Sequence, residues 1–557
     1  STLLHVQAMH NLRVASHGTL QVSQNRFPIM RTKTTVALLL TALLCVPGCG
    51  PSEEKGLRPR TIITTDGEVD DFDSFIRLLM YSNEMDIKAL VYTSSKHHWA
   101  GDGKGSLLLP VNRAAGTSDS FPQAEPEPRT SYRWIGLDWM QELIGKYGQV
   151  YPNLVKHDDR FPSPDYLESI VKVGNIIVEG DMAAPTEGSE FIKSIMLDDD
   201  PSPLYVQLWG GTNTVARALL SIEEEYSGSA GWNDLYRKIS DKVVLNMIQD
   251  QDGTYLNYVA KSWPEIRTVY NRDQFLSFAY LWRSSVPTDL KPYLSGSWFT
   301  ENIINDHGPL AGAYLGLGSG YELGDPGDHF WNPELARRMG GEINDFISEG
   351  DSPSYLLLFD WGLRSIRHPE WGGLGGRFYK ESDNPNVYRD PHHEDGFRFG
   401  RQESTGPDVP FDRKVGDFNP HKGGADMWYP QARWVKVLQN DFASRADWCV
   451  SGYDAANHRP VAKIKGGADI QAKPGQTVTV KAVISDPDGD MTSCSWWQYR
   501  EAGTSDCILE LKPEGANVTF TVPLDAIPGT TLHIILEVND DGTPSLTGFQ
   551  RVIVNII

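Results

Sequence analysis

At 557 residues the chain is too long for one ordinary domain, and two or more cores are expected. A hydrophobic content of 40% with 22% charged residues is that of an ordinary soluble globular protein. The formal net charge of −22 argues against a nucleic-acid partner, because phosphate contact needs clustered Lys and Arg. Such an acidic surface fits a cation site or a neutral ligand such as a sugar. The 16 tryptophans and 22 tyrosines suit either role of aromatic rings, core filling or sugar stacking.

In chain order, residues 1–29 show neither periodicity nor charge pattern and read as a non-native upstream extension. From Met30 the text becomes MRTKTTVALLLTALLCVPGCG. Arg31 and Lys33 give a basic start, and Val36 to Val46 is apolar apart from Thr41, too short for a transmembrane span. Residues 30–49 therefore read as a signal peptide. The small residue before Cys49 resembles a lipoprotein processing site, which would make the lipidated Cys49 the only link to a membrane; a plain cleaved signal is the alternative. Either way the protein would be exported, as a cell-envelope lipoprotein or in secreted form. Beyond Cys45 and Cys49 only Cys449, Cys494 and Cys507 remain, which is no disulfide framework, although Cys494 and Cys507 could pair.

Residues 50–59 read as a tether. The globular part opens with the β-branched strand Thr61-Ile62-Ile63-Thr64-Thr65, and Phe72, Phe75, Ile76 and Leu79 then fall on one face of a helix. IKALVYT (87–93), LYVQLW (204–209) and KVVLNMI (242–248) read as further strands, with helical TNTVARALLS between the last two. Strands alternating with helices indicate an α/β domain over 60–455, a mostly parallel sheet with helices on both faces. Ligands of such folds sit at the carboxyl ends of the strands. The stretch 365–425 is rich in Gly, Asp, His and Pro and reads as a long loop, before a helix resumes at 430–447. From 456 to 557 alternating short strands with turn residues between them indicate a small all-β, immunoglobulin-like sandwich.

The first strand runs into Asp66-Gly67-Glu68-Val69-Asp70-Asp71. Helix capping and the helix dipole explain one or two of these aspartates, at about 0.3–1 kcal/mol each. They do not explain Asp66 at the strand end, whereas calcium, which takes six to eight oxygen ligands, suits the whole cluster. An Asp-x-x-x-Asp-Asp motif after an Ile-Ile-x-Thr strand resembles the nucleoside hydrolase signature. Gly211-Thr212-Asn213 and Glu349-Gly350-Asp351-Ser352-Pro353-Ser354 resemble two further elements of that family. Longer strings such as WGGTNTVARAL (209–219), RHPEWGGLGGRF (367–378) and QNDFASRADW (439–448) resemble, more narrowly, the bacterial nucleoside-hydrolase-like family named for cellulose binding.

The resemblance implies a calcium ion held by Asp66, Asp71, Asp351 and the carbonyl of Thr212. Asp66 would also be the general base, and Asp70 and Asn213 would face the sugar. Separately, His97 and His98 follow a strand end and read either as lining the pocket mouth, with His97 toward the sugar, or as a solvated loop. Thr64 and Gly67-Glu68 depart from the ordinary signature. Gly350 stands where some nucleoside hydrolases place a histidine acid, leaving Glu349 and His307 as substitute acids. The expected activity is calcium-dependent hydrolysis of glycosyl bonds in a glycan or sugar conjugate. A non-catalytic carbohydrate- or cellulose-binding lipoprotein is the first alternative and a nucleoside hydrolase the second. His392, His393, Glu394 and Asp395 form a charged run, Asp486 to Asp490 an Asp-rich turn, and Trp496 and Trp497 must face opposite sides of a strand.

Overall fold

The computed structural model describes residues 58–110, 127–391 and 413–557. The upstream extension, the signal with Cys45 and Cys49, most of the tether and the run His392 to Asp395 lie outside them. The described residues all belong to one compact unit, Leu57–Ile557.

Eight strands make one sheet: β1 (Arg60–Thr65), β2 (Asp86–Tyr92), β3 (Val171–Val173), β4 (Leu204–Leu208), β5 (Val243–Ile248), β6 (Arg267–Asn271), β7 (Tyr379–Lys380) and β8 (Val387–Arg389). Their order is β3-β2-β1-β4-β5-β6-β8-β7, parallel throughout except for β7 against β8. Every residue of β1, β4 and β5 is buried, which is why these strands read as continuous apolar runs. Helices α1 (Val69–Met80) and α2 (Trp139–His157) pack on one face; α4 (Glu187–Leu197), α5 (Asn213–Tyr226) and α6 (Trp232–Lys242) pack on the other, with the short α3 at Pro164–Ser169. Strand order runs outward from β1 to β3, then returns to the other side of β1 with β4. The reversal opens a crevice at the carboxyl ends of β1 and β4, where open α/β sheets bind ligands.

The described residues of the stretch 365–425, read as a long loop, supply the sheet edge. β8 lies parallel beside β6, and β9 (Asp417–Asn419) pairs with β10 (Gly424–Asp426). Strands of two and three residues are too short to leave a periodic signal.

The C-terminal strands β11 (Val461–Ile464), β12 (Asp469–Ala472), β13 (Thr477–Ser485), β14 (Thr492–Gln498), β15 (Lys512–Glu514), β16 (Asn517–Thr521), β17 (Thr531–Asp540) and β18 (Thr547–Ile556) form two four-stranded sheets, β11-β13-β16-β15 and β12-β18-β17-β14. Alternation along β14 and β17 assigns the two tryptophans. Trp496, Ile534, Leu536 and Val538 fill the sandwich core, whereas Trp497 and Ile535 turn outward into the core of the α/β domain, with Tyr499 and Phe549. Trp497 lies under the Arg433 guanidinium, 4.5 Å from the ring centre, and is thus an interface residue. Cys494 and Cys507 are free thiols.

Beside this apolar contact sits a polar knot around Asp417, which is fully buried. Arg377 Nε donates to it at 2.6 Å, the Tyr499 hydroxyl at 2.7 Å and Arg433 Nη1 at 3.3 Å. Removing the carboxylate leaves Arg377 buried without its counter-charge. Asp417→Ala is accordingly expected to destabilise the chain by ~3–5 kcal/mol in urea unfolding; a change below ~1 kcal/mol would contradict this account of the knot.

Candidate metal centre

β1 delivers Asp66 to the crevice, and Gly67 turns the chain with φ of 84°, a left-handed conformation that favours glycine. Asp71, in the first turn of α1, accepts from the Thr65 hydroxyl, from Glu68 N–H at 3.1 Å and from Asp66 N–H at 3.3 Å. Asp70 points across to the loop before the short helix Ser352–Leu356, where Ser348 Oγ donates to it at 3.4 Å. Asp351 stands at the N-cap position of that helix, and its side chain makes no capping hydrogen bond. One oxygen from each of Asp70, Asp71 and Asp351 lies within 4.8 Å of the other two. The loop after β4 closes the floor: a Cβ on Gly210 would stand 2.9 Å from that of Asp66.

Asp66 is 2% exposed, and neither of its carboxylate oxygens has a hydrogen-bond partner among the described residues. Asp351 Oδ2 and Thr212 Oγ1 are in the same position. Burial first, and then mutual repulsion with Asp66, Glu68 and one another, hold Asp70, Asp71 and Asp351 well above the usual carboxylate range. An all-oxygen donor set with unsatisfied buried oxygens fits a hard divalent cation; calcium matches it in ligand type, and zinc sites ordinarily use nitrogen and sulfur. The Thr212 carbonyl accepts Ala216 N–H at 2.9 Å in the first turn of α5 and keeps a second lone pair.

Other expected site residues are placed differently. Asn213 is fully engaged inside the protein. Its amide donates to Ser94 Oγ at 2.9 Å, Asn175 O at 2.9 Å and Asp181 O at 3.1 Å, and its oxygen accepts from Thr93 Oγ1 at 2.8 Å. It braces three strand-end loops and has no amide hydrogen left for a sugar. Glu349 is the counter-ion of Arg77, with Nε–Oε2 at 2.5 Å and Nη2–Oε1 at 2.8 Å, and also accepts from Tyr314 and Ser352. A carboxylate held by four donors is not a leaving-group acid. His307 pairs with Asp447 at 3.2 Å on the helix Val435–Trp448, and among the described residues no contact joins it to the acidic cluster. His97 is half-buried, its N–H bonded to Ser95 Oγ at 2.9 Å, while its neighbour His98 enters the site.

His98 is completely buried. Its Nε2 lies 3.0 Å from Asp325 Oδ2, and its Nδ1 faces Asp66 at 3.7 Å and Glu68 at 3.9 Å. Burial opposes its charge, but the hydrogen bond to Asp325 and the acidic neighbours prevail and lift its pKa to about 10. Arg133 anchors Asp325 from outside, Nη2–Oδ2 at 2.6 Å. Tyr280 OH reaches Glu68 at 3.3 Å, and Asp252 accepts Asn213 N–H at 3.0 Å. Asp252 could have been picked out as an acid just past the β5 end; Asp325 lies in a loop with no pattern to mark it.

A model of the family described as cellulose-binding Sde182, nucleoside hydrolase-like domain, matches residues 60–378, more than half of the chain. The chain belongs to this family. A model of the C-terminal domain of cellulose-binding protein Sde0182 matches 477–556. Comparison with curated proteins gave no match. Among solved structures, a nucleoside hydrolase-related hypothetical protein from Saccharophagus degradans, associated with carbohydrate metabolism, is 24% identical with a TM-score of 0.61. It aligns over 90% of this chain and 100% of its own, and so establishes the fold of both domains. The plant nucleoside hydrolase PpNRh1 aligns over 60% of this chain and 87% of its own at 10% identity and a TM-score of 0.24, too low to bear on function.

Because burial raises the pKa of Asp70, Asp71 and Asp351, the metal-free chain is stabilised while they hold their protons. That stability is lost as pH rises from about 4 through their elevated values. Asp351→Asn removes one repelling charge and is expected to raise the melting temperature in chelator at about pH 8 by a few degrees. A bound cation reverses the sign, so calcium should raise the melting temperature more at about pH 8 than at about pH 5. Equal gains at both pH values would argue against carboxylate ligation.

Proposed function

We propose that the chain is an exported, calcium-dependent hydrolase of glycosyl bonds acting on a glycan or sugar conjugate. The observation that carries this reading is Asp66, a buried carboxylate with neither oxygen hydrogen-bonded among the described residues, beside the three clustered oxygens of Asp70, Asp71 and Asp351. Asp71, Asp351, Asp66 and the Thr212 carbonyl would hold the cation. When bound, it would act as a Lewis acid that lowers the pKa of water and fixes its place. Asp66 takes the proton from the attacking water as general base. Asp70 orients a sugar hydroxyl. The His98–Asp325–Arg133 chain sets positive charge behind Asp66 and keeps that carboxylate aimed into the crevice. The family's cellulose-binding name and the acidic surface support a carbohydrate as the ligand. The signal-like segment before Cys49 supports export, with a lipid anchor there.

A second reading, a carbohydrate-binding protein without turnover, is favoured by one observation. Both expected acids are engaged elsewhere, Glu349 by Arg77 and His307 by Asp447. Hydrolysis of a broad glycan and nucleoside panel, with and without chelator and in Asp66→Ala, separates the two. The hydrolase reading expects turnover lost with chelator and lowered at least ~10²-fold in Asp66→Ala. Sugar binding that survives Asp66→Ala, with no turnover on any substrate, would establish the binding protein instead.

A further inference from the structure

A second group of carboxylates gathers at the end of the sandwich nearest the chain leaving the α/β domain. Asp486, Asp488 and Asp490, in the turn between β13 and β14, each place an oxygen within 4.8 Å of the other two. The turn accounts for part of this, since Asp486 Oδ1 accepts the N–H groups of Asp488 and Asp490 at 2.9 and 3.0 Å. It does not account for Asp540, at the end of β17. Asp540 is 5% exposed; its Oδ1 accepts from Leu546 N–H at 2.8 Å, Gly542 N–H at 3.2 Å and Asn457 Nδ2 at 3.2 Å. Its Oδ2 is buried with no partner among the described residues, as is Asp486 Oδ2.

The two turns are pressed together. Asp540 is the cross-strand partner of Thr492, two residues beyond Asp490, and a Cβ on Gly542 would come within 2.6 Å of Asp490 Oδ2. Gly542, whose N–H bonds to Asp540 Oδ1, thus sits between Asp540 and the Asp-rich turn. Asp488 is aimed by His458, which offers its Nδ1 at 2.9 Å and its backbone N–H at 2.6 Å. The His458 ring in turn lies against Tyr453 and meets His157 of α2, Nε2 to Nδ1, at 3.0 Å.

We infer that Asp486, Asp488, Asp490 and Asp540 form a second divalent-cation site, for calcium, at the junction of the two domains. Only oxygen is offered, from two turns that repel one another without a cation between them. An ion there ties the β13–β14 turn to the β17–β18 turn. Through Asp488 and His458 it also ties both to α2 of the α/β domain. Its role is structural and separate from the crevice, and a partly exposed site of this kind binds at ~10⁻⁴–10⁻³ M.

Calcium stoichiometry of the full chain by isothermal titration tests this, with folding of each variant checked by circular dichroism. The parent is expected to bind two ions. Asp71→Asn should remove the ion at the crevice and keep the second; Asp490→Asn and, independently, Asp486→Asn should remove the second and keep the first. Asp486 and Asp490 are both partly exposed turn residues, so at least one variant should fold. Stoichiometry unchanged in both Asp490→Asn and Asp486→Asn overturns the proposal, as does a parent that binds no calcium up to ~10 mM. Stoichiometry lowered by these two but not by Asp71→Asn would instead count against the crevice as a metal site and leave this one standing.

Discussion

Arg77 and Glu349 lie 272 residues apart in the sequence and meet as a bidentate ion pair with no exposure to solvent. Arg77 stands on the helix whose first turn carries Asp70 and Asp71; Glu349 is two residues before Asp351. Carboxylates drawn within 4.8 Å of one another repel, so something must hold the two acidic arms at that spacing before a ligand arrives. A buried pair does this only when its remaining donors and acceptors are satisfied. Here they are: Arg77 also donates to Leu438 O and Gln439 Oε1, Glu349 also accepts from Tyr314 and Ser352, and the guanidinium lies over Phe442. The crevice is therefore preorganised by a contact that takes no part in its chemistry.

The same packing bears on how this site departs from ordinary nucleoside hydrolases. Gly350 stands where the resemblance would lead one to expect a histidine, and the backbone there runs close against Asp70: a Cβ would be 2.5 Å from Asp70 Oδ2 and 3.4 Å from Phe275. No side chain fits at 350 unless Asp70 moves. On the other side of the cluster His98, held by Asp325, stands behind Asp66.

Much of this was legible because the signals were local. Asp66, Asp70 and Asp71 lie within six residues of one another, and alternation in β14 and β17 requires Trp496 and Trp497 to face opposite ways. Asp351 and Thr212 could be assigned only through the family motifs, since nothing in their own spacing links them to Asp66. What stayed hidden depended on contacts between distant segments. Glu349 looks like a free acid until Arg77 is brought to it, and Asn213 looks like a ligand-binding amide until Ser94, Asn175 and Asp181 surround it. His97 was expected at the site and His98 enters it instead, because in a loop neither strand alternation nor helical period says which of two neighbouring rings turns inward.

The sheet β12-β18-β17-β14 is covered on both faces, by the rest of the sandwich on one side and by Trp434, Leu363 and their neighbours on the other. Where two domains are joined by a flexible linker, the linker sets how far from its anchor a partner can be reached. No such slack exists between these two domains. The sandwich and the crevice are held at one fixed spacing and one angle. The distance between them is therefore a property of the molecule's shape and not of a linker.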